Sequence, residues 1–303
     1  MRSIINKIIF FNYLLSHPLN KDNKIKTLLR YLRWQIGSRI SLGAIAVEYV
    51  NDSKLLVLPG MTGATLNIYT GLHEFEDMAF VLHALRKEDV FVDVGANVGS
   101  YSVLAGSAVG ANCILIEPIP RTFRYLKDNI NLNGISDNVI SLNIGVGECE
   151  GMLKFTTDLD TVNHVVSNSE IEDVGMIDIP IKKLDDILQN VEPKLIKIDV
   201  EGFETNVIKG AHNILTKDSL LGVIMELNGS GERYGFDENT LHELMLSYGF
   251  RPYRYLPFDR ALLAIKGKNC NSGNTLYLKN ENELNILLKD SPKYDLKQVS
   301  VKI

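Results

Sequence analysis

From Val90 onward, short apolar runs alternate with amphipathic stretches of helical length, and this alternation constrains the fold more than any other feature of the chain. "VFVDV" is followed by a helical stretch from about Ser100, "CILIE" by "RTFRYLKDNINLN", "LIKIDV" by "ETNVIKGAHNIL" and "GVIMELN" by "ENTLHELMLSYGF", with "VISLNI" and a hairpin-like "GMLKFTTD" between the second and third pairs. Strands that alternate with helices predict a mostly parallel sheet covered on both faces. Turn residues agree: Asn133-Gly134 and Gly249 stand after helices, and Asp237 is placed to cap the helix ahead of Gly249. "RPYRYL" and "RALLAI" pair as a closing hairpin across "PFD". Residues 41–80 read as two short strands, "AIAVEYV" and "KLLVLPG", and a helix laid against the core. With no internal repeat or low-complexity linker, the simplest division is an N-terminal extension (1–68), a main α/β domain (69–268) and a tail (269–303) packed on or extending it.

The first strand runs into "GANVGS". Gly95 and Gly99 let the backbone turn sharply and a ligand approach closely, and N–H groups at a helix start favour anionic groups. In such sheets ligands bind beyond the carboxyl ends of the strands. Two acids narrow the ligand. Asp93 stands inside the strand, where a pyrophosphate would be repelled and a cationic ligand attracted. Glu117 ends the second strand, where a carboxylate accepts hydrogen bonds from ribose hydroxyls. A nucleoside bearing an ammonium and a sulfonium, S-adenosylmethionine, satisfies both. Asn143, ending the third strand, is expected towards the adenine.

"LIKIDVEGFE" places Asp199, Glu201 and Glu204 within six residues past a buried strand, and Glu226 and Asn228 follow the next one. Such clustering costs repulsion unless partners or ligands offset it. Asp199 is expected beside the reacting methyl as base or hydroxyl-orienting group, with Glu201 second and His73, next to Glu74, third. Glu204 needs no more than a helix-dipole role. Asp199, Glu226 and Asn228 would make an oxygen-rich site for a hard cation such as Mg²⁺. Hydrogen bonding of Glu74, Glu226 and Asn228 to substrate is the simpler reading, and no metal is expected. His164 is a weaker candidate. The loops Tyr69–Glu76, Thr156–Asp173 and "NGSGERYGF" would set specificity, with Arg233, Tyr234 and Phe236 placed to meet a sugar ring.

"FVDVGANVGSYSVLA", "IEPIPRTFRYLKDNINLN", "KIDVEGFE" and the upstream "YTGLHEFE" resemble the FkbM family of S-adenosylmethionine-dependent methyltransferases over about Tyr69 to Phe258. The resemblance implies a Rossmann-like class I methyltransferase fold, with a mostly parallel seven-stranded sheet. It also implies O-methylation of hydroxyls on sugars or polyketide-type products, hence a small-molecule or glycan acceptor. By motif, Asp93, Gly95, Ala96, Asn97, Gly99 and Glu117 match the cofactor positions, and Asp199 and Glu201 the acidic motif at the active edge. A nicotinamide dehydrogenase is disfavoured by Asp93 and by DxGxNxG in place of GxGxxG. A non-catalytic scaffold is disfavoured by the intact acids at both edges.

Charge is uneven. Residues 1–40 carry eight Lys/Arg against Asp22 alone, a net of +7, which leaves 24 basic and 36 acidic residues elsewhere, a net of −12. "IINKIIFFNYLL" is interrupted by Asn6, Lys7 and Asn12 and lacks a cleavage site, so it is read as neither a signal peptide nor a membrane span. It is read first as a helix packed on the main domain, then as a peripheral contact with an anionic membrane. Nucleic-acid binding is not expected behind so acidic a domain. Cys113, Cys149 and Cys270 form no CxxC pair, which fits a reducing, cytoplasmic setting.

Overall fold

A computed structural model describes residues 2–41, 43–159, 162–167 and 175–303, with the side chains of 2–6 left aside. Helices α1 (Arg2–Ser16) and α2 (Lys24–Ile40) lead into a hairpin of β1 (Ile45–Glu48) and β2 (Lys54–Val57). Helices α3 (Thr62–Thr70) and α4 (Phe75–Ala84) follow, separated at Gly71 by its left-handed backbone (φ +83).

The core then runs through β3 (Val90–Val94), α5 (Ser100–Val103) with a π turn over Leu104–Val109, β4 (Asn112–Ile116), α6 (Pro120–Leu132) and β5 (Val139–Leu142). A separate small sheet holds β6 (Gly145–Val146), β7 (Gly151–Thr156) and β8 (Met176–Lys182). After α7 (Leu184–Ile187) come β9 (Leu195–Ile198), α8 (Glu204–Lys209), α9 (His212–Leu215), β10 (Gly222–Glu226) and α10 (Glu238–Ser247), which Asp237 caps as expected. The chain finishes with β11 (Arg251–Leu256), β12 (Ala261–Ala264), β13 (Asn274–Leu278), α11 (Glu281–Lys289) and a short hairpin at 295–302.

The main sheet has the order β12-β11-β13-β10-β9-β3-β4-β5. Strands β5, β4, β3, β9 and β10 are parallel, and β13 is inserted antiparallel between β10 and β11. This is the Rossmann-like class I methyltransferase topology. The sheet has eight strands, not seven, because the hairpin partner β12 adds an edge strand beside β11. The tail thus supplies an interior strand, β13.

Successive side chains of a strand point to opposite faces, and here both faces are dry. Phe91, Leu115, Leu195 and Ile224 enter the core beneath α4 and α11, whereas Val92, Ile114, Ile196 and Val223 enter the core that α7 to α10 cover. That explains the almost uninterrupted apolar runs of these strands. The first face turns polar at its carboxyl end. Asp93 shares the parity of Phe91, Lys197 and Asp199 that of Leu195, and Glu226 that of Ile224. The pairing Asp93↔Lys197 brings two of them side by side, while Glu226 pairs with Asn274 of β13.

Candidate active site

Two glycines fix the loop after β3. Gly95 has φ +83, and a Cβ there would stand 1.8 Å from the Asp199 carbonyl oxygen. The loops after β3 and β9 therefore touch backbone to backbone. The N–H groups of Gly95 and Ala96 both bond to Ile116 O, at 2.9 and 3.0 Å. Gly99, also left-handed, starts α5, and Asn97 at φ +51 carries the turn between them.

Glu117 is buried, with a different N–H on each oxygen: Asn97 on Oε2 at 3.0 Å and Ile119 on Oε1 at 2.8 Å. Each oxygen keeps a second lone pair for a ligand. Burial raises its pKa to about 7, against the lowering effect of those two N–H groups. Asp93 is 1% exposed; its Oδ2 accepts from Ser102 Oγ at 2.9 Å, and its Oδ1 has no partner. Burial raises it to about 6, although Lys197 and Ser102 pull the other way.

Lys197 was not singled out in the sequence. It is buried, with Nζ 2.6 Å from Asp199 Oδ2 and 4.8 Å from the centre of the Tyr101 ring. Burial alone would lower its pKa, but Asp199, Asp93 and Glu74 outweigh it and hold it above the ordinary lysine value. Glu74 accepts from Tyr101 Oη and Asn274 Nδ2, both at 2.8 Å, and Asn274 also reaches Asp77 at 3.2 Å. A buried polar layer thus underlies the strand ends.

Asp199, Glu201 and Glu226 each place an oxygen within 4.8 Å of the others. Glu226 rises to about 10 through burial and then through Asp199, Glu201 and Glu204, and its Oε2 is buried without a partner. Glu201 rises to about 7, again through burial first. Glu204 is more than a helix-dipole acid: its Oε1 reaches back to the N–H groups of Val200 and Gly202, closing the turn that carries Glu201.

Most of these groups line one cleft of about 260 Å³ that opens to solvent, close to the lower end of the range for small-molecule sites. Asp93, Val94, Gly95, Ala96, Asn97, Glu117, His73, Glu74, Lys197, Asp199, Glu201 and Glu226 all reach it. Among the described residues, five buried side-chain atoms lack a hydrogen-bond partner, and three of them, His73 Nδ1, Asp93 Oδ1 and Glu226 Oε2, belong to residues of this cleft. Buried polar groups are normally satisfied, so these three make the cleft the candidate place for a polar ligand.

Other expected residues stay outside the lining. Asn143 spends its amide on the carbonyls of Glu117 and Pro118, both at 2.8 Å, which steadies the Glu117 loop without facing a ligand. Asn228 is exposed and accepts from Ser230 N and Oγ, so Glu201 replaces it beside Asp199 and Glu226. Tyr234 donates to Val165 O, Phe236 packs on Tyr234, and Arg233 bonds Glu201 O; they buttress the rim. His164 bonds Val162 O. Residues 160–161 and 168–173 of the Thr156–Asp173 loop lie outside the described residues. Phe155 and Phe203, not singled out in the sequence, line the cleft together with Asn163 and Val165 of the Thr156–Asp173 loop.

The chain is 30% identical over 160 residues to a hexuronic acid methyltransferase, AglP, of Haloferax volcanii, covering 51% of this chain and 62% of that protein. It is 25% identical over 169 residues to the methyltransferase sdnD of Sordaria araneosa, covering 45% and 65%. The chain thus spans less than two thirds of the length of both relatives. Among solved structures, a precorrin 8w decarboxylase of Methanobacterium thermoautotrophicum aligns with TM-score 0.40 at 14% identity, over 69% of this chain and 91% of that one. The model of the methyltransferase FkbM domain matches residues 93–252, from the aspartate of β3 into β11, more than half of the chain. The chain belongs to the FkbM methyltransferase family.

Proposed function

We propose that the protein transfers a methyl group from S-adenosylmethionine to a hydroxyl of a sugar or other small molecule. The observation that carries this reading is the convergence of His73 Nδ1, Asp93 Oδ1 and Glu226 Oε2, none with a partner, on a cleft that also presents a pinned Glu117 carboxylate. The donor set fits: Glu117 offers one free lone pair per oxygen to a ribose diol, and the unpartnered Asp93 Oδ1 suits an ammonium group. The acidic cleft suits a sulfonium. The relative that acts on a hexuronic acid supports a sugar acceptor.

The donor supplies an electrophilic methyl group. The chain's own residues must align the acceptor oxygen with it, since positioning supplies much of the rate. Asp199 Oδ2 is held by Lys197, so Oδ1 is the oxygen that orients the hydroxyl and takes its proton. Glu201, at about 7, is the second carboxylate in reach. Tested by calorimetry, S-adenosylhomocysteine binds the wild type, and Glu117→Ala weakens that binding at least about tenfold. Asp199→Asn keeps binding but loses about 10²–10⁴-fold in methyl transfer to a panel of glycosides. Stabilisation by NAD and not by S-adenosylhomocysteine would replace this reading with a dehydrogenase.

A further inference from the structure

Helix α2 buries Thr27, Trp34 and Ser38. At about 100° per residue these three lie along one side of the helix. On the opposite side, Ile25, Leu28, Leu29, Leu32, Ile36 and Ile40 form a continuous apolar stripe about 120° wide. All six are exposed, Ile25 to 76% and Ile40 to 75%. An amphipathic helix of a globular domain turns its apolar face inward; this one turns it outward. Exposed Lys26 and Arg33 flank one edge of the stripe and exposed Lys24 the other, while exposed Arg39 stands just inside it in the last turn. Helix α1 adds exposed Ile8 and Ile9 and exposed Lys7. No described helix is long and apolar enough to cross a membrane.

We propose that the outer face of α2, with α1, is a docking surface for an anionic lipid membrane. An apolar stripe edged by Lys and Arg is the pattern that inserts at the headgroup boundary, with long basic side chains reaching back to the lipid charges. The net +7 of residues 1–40 against −12 for the rest orients the protein with this face towards negative charge and the body away from it. A second copy of the chain fits less well, because apposing two such faces would bring two +7 segments together.

The position of this surface matters for the site. Ile9, Phe10 and Tyr13 of α1 form an apolar groove with Thr62 and Leu66 of α3, and these last two also line the cleft. Tyr13 Oη further donates to His73 O at 3.0 Å. The docking helices thus adjoin the wall of the cleft, which suits an acceptor held at the lipid surface by a lipid tail; this consequence rests on the methyl-transfer reading.

The test is flotation of the full chain with vesicles of phosphatidylcholine alone or mixed equally with phosphatidylglycerol. The wild type floats with the mixed vesicles, less with neutral ones, and less at high salt. Leu29→Glu/Leu32→Glu weakens flotation at least about tenfold, whereas Ile140→Glu/Ile286→Glu, equally exposed elsewhere, does not. All of them melt cooperatively at the wild-type temperature within error, which shows that the variants fold. No flotation of the wild type, or flotation indifferent to the α2 variant, overturns the proposal. So does a wild-type dimer in sedimentation velocity that the α2 variant abolishes without lipid. Flotation needs no methyl donor, so its failure leaves the enzymatic reading standing, and lack of donor binding leaves the docking surface standing.

Discussion

Replacing Lys197 with Met tests the electrostatic floor of the cleft. The substitution nearly preserves length and volume but removes the buried cation that faces Asp199 at 2.6 Å. Breaking a fully buried ion pair costs about 3–5 kcal/mol, because the remaining charge is left uncompensated. Asp199 is 26% exposed, so water recovers part of that loss, and about 2–3 kcal/mol is the better figure. Unfolding entropy of about 2.1 cal/mol/K per residue gives about 0.6 kcal/mol/K for 303 residues, so the melting temperature should fall by about 3–5 °C. Asp93, held down in part by Lys197, should move above about 6.

The control is the cycle with Asp199→Asn. If the pair is the source of the loss, Lys197→Met/Asp199→Asn costs less than the sum of the single variants, with a coupling of at least about 1 kcal/mol in calorimetric melts. Methyl transfer by Lys197→Met should drop at least about tenfold, because Asp199 loses the contact that orients it. A melting temperature within error of the wild type, or strictly additive single variants, would refute the view that Lys197 compensates these acids.

Other expectations follow from the same groups. Glu226, raised to about 10 by burial and its acidic neighbours, holds a proton in the folded chain that the unfolded chain releases above about 4.5. Its contribution is therefore complete below that value and lost as pH rises towards 10. Glu226→Gln, shaped like the protonated acid, should flatten the fall of melting temperature between about pH 7 and 9; a wild-type slope would sink the assignment. Asp93 at about 6 and Glu117 and Glu201 at about 7 must ionise to favour a cationic donor. Its Kd by calorimetry should accordingly fall as pH rises from about 6 to 8, and a constant Kd would contradict this. Gly95→Ala, with a Cβ 1.8 Å from the Asp199 carbonyl, should cost at least about 3 kcal/mol. Gly134→Ala, left-handed but in open space, should cost about 1 kcal/mol, and equal losses in urea melts would argue against the backbone contact. Finally, Lys197 already supplies a cation to Asp199, so EDTA should leave turnover unchanged, and a loss restored by Mg²⁺ would show the three acids to be metal ligands.

Much of this arrangement was legible in the chain. The strands from Val90 to Glu226 carried it, because burial on both faces leaves an unmistakable apolar run, and Pro118, Gly95 and Gly202 mark where each strand must end. Strand β13 was not legible. "NTLYL" is five residues with no preceding crossover helix, and its place is set by insertion between β11 and the more distant β10, a pairing that no local pattern announces. Asn143 and Asn228 show a different limit. Position in a strand dictates where a residue emerges, but past the last paired residue its amide is free to satisfy nearby backbone groups, and both do so.

Lys197 shows that a signal was present and passed over. In "LIKIDV", period two places Leu195, Lys197 and Asp199 on one face, and a lysine in the middle of a buried run demands a counter-charge. Asp93 in the neighbouring strand has the same parity relative to Phe91. Two charges of opposite sign, each two residues beyond a core residue on the same face, imply a shared buried layer before any coordinates are known. What parity cannot tell is which face carries the cleft, because both faces of this sheet are apolar over most of their length. That choice follows Glu74 at the N-cap of α4, Tyr101 of α5 and Asn274 of β13, which are hydrogen-bonded through Glu74, with the Tyr101 ring against the lysine. The cleft opens on that side because only there do polar partners allow the strands to end in charge.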